Sequence, residues 1–158
     1  MAFTDGNISG KSVADFGTGN GILAVGAILL GASRVTAYDS DPDMVNLTRA
    51  NTAGMNVDAV LAEIGTITEK FDTVLMNPPW GDSTSRLDRE FIMKAAESAQ
   101  YLYAIHNLKS IDYLEKLYQK IGRIEHMVRV TLDVPRIYKH HTRERAPVEG
   151  VLFSVRFE

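Results

Sequence analysis

The sequence predicts an α/β protein: a seven-stranded, mostly parallel sheet covered by helices on both faces and closed by a C-terminal antiparallel hairpin. Three observations predict it. Short β-branched runs alternate with longer amphipathic ones as far as residue 121, the pattern of parallel strands joined by helical crossovers. The first run leads into a turn with glycine at every second position, where a parallel strand enters its helix. The last two runs, RIEHMVRVTLDV and GVLFSVRF, have no helix between them, and strands joined directly by a loop usually pair antiparallel. A chain of 158 residues with 45% hydrophobic composition supports one full core and is short for two, so residues 1–158 are read as a single domain.

Each element follows from local chemistry. SVADF (12–16) reads as the first strand and Gly21 to Leu30 as its helix. RVTAY (34–38) is the second strand. Asp41 then suits the N-cap and Pro42 the first turn of a helix running to about Ala53, because the carboxylate accepts an orphan N–H and the proline has none to lose. VDAVLA (57–62) is a third strand, expected at the edge of the sheet, and FDTVLM (71–76) a fourth. Pro78 and Pro79 cannot donate to a ladder and bias the preceding residue away from the helical region, so this strand stops at Asn77. DREFIMKAAESA (88–99) reads as a helix, YLYAIH (101–106) as a strand, and SIDYLEKLYQKI (110–121) as a helix. The final strands span 123–134 and 150–157.

Composition narrows the function classes. A net charge of −3 and a pI near 5.8 give no global attraction for nucleic acid, so such a partner must be held by a local patch. The absence of cysteine removes disulfides, thiolate nucleophiles and cysteine-ligated zinc, and fits a reducing cytoplasm. The longest apolar run, GILAVGAILLGA, is about half a membrane span, and no basic-then-apolar signal opens the chain. A cytoplasmic protein with no membrane partner is expected.

Two stretches carry chemistry. In DFGTGNG, Gly17, Gly19 and Gly21 flank Thr18 in the turn after the first strand, where missing side chains let backbone N–H groups approach a ligand. Asp39 ends the second strand beside Ser40, placed to accept from ribose hydroxyls. GNGILA also fits the dinucleotide fingerprint, which keeps nicotinamide cofactors as an alternative. Asp15 weighs against them, since a carboxylate here repels pyrophosphate but counters a cationic end such as that of S-adenosylmethionine. Glu63, after the third strand, could accept from an adenine amino group. A turn that serves only packing, and a merely solvated glutamate, are the plainer alternatives.

The second stretch is Asn77-Pro78-Pro79-Trp80. Ligands of a doubly wound sheet bind outside the carboxyl ends of its strands, so Asn77 falls beside the cofactor. Its amide oxygen and a proline carbonyl freed from the ladder can accept both hydrogens of an exocyclic amine. That holds the nitrogen in line with a sulfonium methyl, and no strong base is needed. Trp80 supplies a flat face for a base taken out of its stack. A strand-ending turn with a packing tryptophan is the alternative. A basic loop follows near the C-terminus, with Arg136, Lys139, Arg143 and Arg145 interleaved with Tyr138, His140 and His141. Such a loop suits phosphates and splayed bases. The histidines lack an accompanying carboxylate cluster, and no catalytic metal is expected.

DFGTGNG, YDSDP, FDTVLMNPPWG and the tail VPRIYKHHTRERAPVEGVLFSVRF resemble the small archaeal and eukaryotic S-adenosylmethionine-dependent ribosomal RNA adenine-N6 methyltransferases, from about Gly6 to Phe157. DREFIMKAAE and YAIH favour this group over the DNA amino and protein glutamine methyltransferases that share the Asn-Pro-Pro-aromatic motif. The resemblance implies a Rossmann-like class I methyltransferase fold with S-adenosyl-L-methionine as cofactor. It also implies Asp39 on the ribose, Glu63 on the cofactor adenine, and Asn77 through Trp80 on the target base. Structured RNA, ribosomal by resemblance, is the implied substrate, and a small zinc-binding activator pairing with the third strand is the implied partner. Trp80 stands where phenylalanine is usual and Glu63 where aspartate is common. The family's upstream lid segment is expected to be missing from this chain, with weak cofactor binding as the result. A non-catalytic RNA-binding module is the remaining alternative.

Overall fold

The computed structural model describes residues 1–2, 4–78, 84–132 and 147–158, without the side chains of 84–87. In chain order these form β1 (Ser12–Phe16), α1 (Ile22–Leu29), β2 (Arg34–Asp39), α2 (Pro42–Asn51), β3 (Val57–Leu61), β4 (Phe71–Met76), α3 (Thr84–Ser98), β5 (Ala99–Asn107), α4 (Ile111–Ile121), β6 (Gly122–Leu132) and β7 (Val148–Phe157). The strands make one sheet in the order β3-β2-β1-β4-β5-β7-β6. All neighbours from β3 to β5 run parallel, whereas β7 is antiparallel to both β5 and β6. The predicted sheet and its antiparallel close are present, and β3 lies at an edge. The last strand of the chain is inserted inside the sheet, between β5 and β6.

Strand order reverses at β1, from which the chain winds outward to β2 and later to β4 on the other side. Phe16 is level with Tyr38 on β2 and with Met76 on β4, so three strands deliver their C-terminal ends to one line. A crevice forms at that switch point because the loops leaving β1 and β4 turn to different sides.

Burial divides between two faces. On one, Phe16, Val74, Met76, Leu102 and Phe153 pack against Ile92 and Ala95 of α3 and Leu114 and Tyr118 of α4. On the other, Val13, Val35, Ala37 and Ile8 meet Ala24 and Ala27 of α1. Both faces of β1 are therefore apolar, as an inner parallel strand requires. Residues 5–7 are pinned to the sheet: Asn7 Nδ2 donates to the Tyr103 hydroxyl at 2.8 Å, which donates to Asp5 at 2.9 Å, and Thr73 Oγ1 donates to the Asn7 carbonyl at 2.6 Å.

Two helix boundaries differ from the sequence reading. Gly21 stands outside α1 because its φ of 83° is left-handed. α3 begins at Thr84, a turn before Asp88. Among the described residues no helix is long and apolar enough to cross a membrane.

Candidate active site

The turn after β1 is shaped by its glycines. Gly17, Gly19 and Gly21 have φ of 72°, 57° and 83°. A Cβ on Gly17 would lie 3.2 Å from the Phe91 ring, and one on Gly21 would lie 3.0 Å from Cγ2 of Thr48. Conformation and close approach both exclude a side chain at these two positions. α2 braces the turn from outside: Thr48 Oγ1 donates to the Gly19 carbonyl at 2.9 Å, and Asn51 Nδ2 to the Asn20 carbonyl at 2.8 Å.

Several N–H groups of this turn are held within the protein. Gly17 and Thr18 donate their N–H to the Tyr38 carbonyl, Gly21 donates to Thr18, and Gly19 donates to Asp39 Oδ2 at 2.9 Å. At the start of α1, the N–H of Ile22 goes to Asn20 Oδ1 and that of Ala24 to Asp15 Oδ2. A helix N-terminus attracts one anion, and here the protein supplies it as Asp15. The N–H groups of Gly17, Thr18, Gly19 and Gly21 are thus already engaged, which weakens the support for a nicotinamide dinucleotide.

Asp15 is fully buried. Its Oδ2 accepts from Thr18 Oγ1 at 2.6 Å and from Ala24 at 3.2 Å, while Oδ1 has no partner among the described residues. Burial pushes its carboxyl up to about 6, the bonds from Thr18 and Ala24 pull it down, and the charge of Asp39 adds a smaller upward push. The sequence reading gave Asp15 the role of countering a cationic ligand end. Through Oδ2 its carboxylate also ties β1 to α1.

A cavity of ≈ 400 Å³ opens at the switch point. Gly17, Gly19, Asp39, Ser40, Glu63 and Asn77 all line it, together with Tyr38, Asp41, Met44, Ala62, Ile64, Glu90 and Phe91. Asp15, Thr18 and Gly21 do not. Asp39 Oδ1 accepts from the Asp41 N–H at 3.0 Å, so each carboxylate oxygen holds one backbone donor and keeps a lone pair for a ligand hydroxyl. Asp41 caps α2, accepting from Asp43 N–H at 2.8 Å, with Pro42 at the first helical position. Glu63 is exposed at the cavity rim, at the start of a short 3₁₀ turn (Ile64–Thr66). Asn77 is exposed just beyond β4, and Pro78 is buried behind it. Pro79, Trp80 and the basic residues Arg136, Tyr138, Lys139, His140, His141, Arg143 and Arg145 lie outside the described residues.

Sequence reasoning missed Phe91 and Glu90, which bring α3 to the cavity wall. A motif search passes over them because they lie beyond the Asn-Pro-Pro-Trp stretch on a helix chosen for its packing face. Met44 and Ile64 were visible only as neighbours of Asp41 and Glu63. The wall as a whole suits a nucleoside without phosphates: a carboxylate for a vicinal diol, an apolar slot of Met44, Ile64 and Phe91, and an acid at its rim.

The sequence profile of the ribosomal protein L11 methyltransferase (PrmA) family matches residues 3–78, from the N-terminal segment to the end of β4. That match stops at the cofactor half. The rRNA N(6)-adenosine-methyltransferase Mettl5 of Drosophila melanogaster is 34% identical over 154 residues, spanning 90% of this chain and 72% of that protein. This chain belongs to the Mettl5 family. A solved protein of Thermoplasma acidophilum is 44% identical, with a TM-score of 0.85 over 99% of this chain and 84% of its own. A candidate RNA methyltransferase of Pyrococcus horikoshii is 27% identical, with a TM-score of 0.89 over 99% and 79%. The fold of the Mettl5-family chain is thus that of the class I methyltransferases, antiparallel close included.

Proposed function

We propose that this protein is an S-adenosylmethionine-dependent methyltransferase acting on the N6 amine of an adenosine in ribosomal RNA. The observation that carries this reading is that Asn77, at the end of β4, lines the same cavity as Asp39 and Glu63. A residue suited to an exocyclic amine thus stands beside residues suited to a nucleoside. Asp39 would hold the ribose hydroxyls of S-adenosylmethionine and Glu63 the adenine amino group, with Ile64 and Phe91 against the ring. When bound, that group supplies an electrophilic methyl on sulfur.

The rest is the work of this chain. The Asn77 amide oxygen accepts one N–H of the target amine and the Pro78 carbonyl accepts the other, which fixes the nitrogen lone pair on the line of attack. Held this way, the amine would be placed to accept the methyl in exchange for the sulfur, and the alkylated nitrogen would lose its proton to water. Trp80 stacks on the target base, and the basic segment from Arg136 to Arg145 holds the RNA backbone.

Two partner statements belong to the same reading. β3 is an edge strand with Leu61 54% exposed, and its unpaired backbone suits a small zinc-binding activator that adds a strand of its own. A cytoplasmic location agrees with a chain free of cysteine.

Incubating the protein with methyl-labelled S-adenosylmethionine and separate pools of ribosomal RNA, DNA and protein tests the reading. Label in the RNA, recovered as N6-methyladenosine after digestion, is the expected result. Label confined to protein or DNA would overturn the RNA assignment.

A further inference from the structure

Below the cavity, three polar side chains meet inside an apolar core. Asp88 of α3, His106 near the end of β5 and Tyr118 of α4 are 4%, 0% and 0% exposed. His106 Nδ1 lies 3.2 Å from Asp88 Oδ1, and Nε2 lies 2.8 Å from the Tyr118 hydroxyl. Phe153 packs on both rings, at centroid distances of 6.2 Å from His106 and 4.9 Å from Tyr118.

Burial, and then the charge of Asp88, hold the Tyr118 phenol well above its ordinary range, so its oxygen keeps the proton. With a neutral imidazole, Tyr118 donates to Nε2 and Nδ1–H donates to Asp88; a protonated ring donates from both nitrogens, and either state keeps the three side chains tied together. Each ring nitrogen is used once.

An apolar trio of similar size would fill this space without burying a carboxylate, so core stability alone is a weak reason for the arrangement. What the relay adds is direction. Asp88 precedes Phe91 by three residues, so the two stand on neighbouring rungs of one helix. The Phe91 ring stands where a side chain on Gly17 would point, and with Glu90 it forms the α3 part of the cavity wall. Helix side chains extend about 5 Å from the axis, so a roll of about 20° would carry the Phe91 ring roughly 2 Å from Gly17. Apolar packing resists such a roll weakly, whereas a hydrogen bond to a buried imidazole resists it strongly. Farther along α3, Lys94 Nζ donates to the Ile67 carbonyl at 3.1 Å and ties down the other half of the helix.

We propose that Asp88, His106 and Tyr118 are positioning residues for methyl transfer, clamping the cavity-facing half of α3 to β5 and α4 so that Phe91 and Glu90 shape the nucleoside slot. This rests on the methyltransferase reading above, and it predicts a loss that a merely structural role would not produce.

The test compares Asp88→Asn and Tyr118→Phe with Leu114→Ala, which opens the same core away from the relay. Affinity for S-adenosylhomocysteine is measured by calorimetry well below each melting temperature, and hydrogen exchange is followed across residues 84–98. Asp88→Asn should weaken binding about tenfold and raise the KM for S-adenosylmethionine to match. Tyr118→Phe, which keeps the ring and folds most easily, should weaken binding two- to fivefold. Both should speed exchange in α3. Leu114→Ala should lower the melting temperature at least as much and leave the affinity within twofold. Equal affinities across all three variants, with α3 exchange unchanged, would overturn the clamp. Wild-type protein that failed to bind S-adenosylhomocysteine would refute the methyltransferase reading, and the exchange comparison would still decide the clamp.

Discussion

Asn77 and Asp15 sit on opposite sides of one question: which charges and dipoles face a ligand. Asn77 faces the cavity and makes no hydrogen bond within the protein among the described residues that would occupy its amide. Asn77→Ala should therefore lower kcat by about a hundredfold or more, the usual scale for losing one preorganised polar contact, and leave cofactor affinity within a few-fold. Single-turnover methylation alongside calorimetry separates the two. Asp15 faces inward, and its carboxyl near 6 exceeds the ordinary value of 3.8 that it regains on unfolding. The folded state thus holds this proton more tightly. The resulting stabilisation is full below pH 3.8 and is lost as the pH rises through 6, a linkage of about 3 kcal/mol. Asp15→Asn keeps an acceptor for Thr18 and Ala24 without the charge, so it should gain about 1–3 kcal/mol over wild type at pH 7.5 and much less at pH 4. Urea unfolding at both pH values checks this, and parallel profiles would refute it. The acids and glycines of this site were legible as types at fixed offsets. Which of them face a ligand was not, because orientation depends on the hydrogen bonds that the turn makes with Tyr38, Thr48 and Asp39.

At the scale of elements, caps and turns decide where the strands hand over. Asp41→Ala removes the side-chain acceptor for Asp43 N–H and should cost about 1 kcal/mol, seen as a fall of about 2–4 °C in melting temperature with little change in the rest of the fold. Gly21→Ala should cost more. It places a side chain at φ 83°, worth about 1–2 kcal/mol by itself, and drives a methyl against Thr48, which holds the Gly19 carbonyl. Chemical denaturation gives the cost, and a matching loss of cofactor affinity would trace it to the turn. The α2 cap was readable because Asp-Pro is a strictly local signal. The start of α3 and the extra length of β5, which runs from Ala99 to Asn107, were not. The length of β5 is set by what lies alongside: it continues as far as β7 pairs with it, through Asn107 opposite Gly150.

For the whole molecule, the net charge of −3 must be reconciled with a polyanionic substrate. Affinity has to come from a few local cations acting against an unfavourable overall field. Binding of ribosomal RNA fragments should therefore weaken with salt along a shallow line, with a log–log slope of roughly −3 for about four phosphate contacts. Replacing Lys139 and Arg143 together by alanine should flatten that slope by about one to two units, read from filter binding between low and moderate salt. An unchanged slope would move the contact elsewhere.

The insertion of β7 between β5 and β6 has a consequence for folding. β5 and β6 both precede in the sequence the strand that separates them in the sheet. Until that strand is inserted two open edges face each other, and the core lacks Val151, Phe153, Val155 and Phe157. Direct pairing of β5 with β6 would then be a wrong sheet, closed too early, that the last strand must undo. For a chain of this design, the competition between direct β5–β6 pairing and insertion of β7 bears directly on the yield of correctly threaded protein.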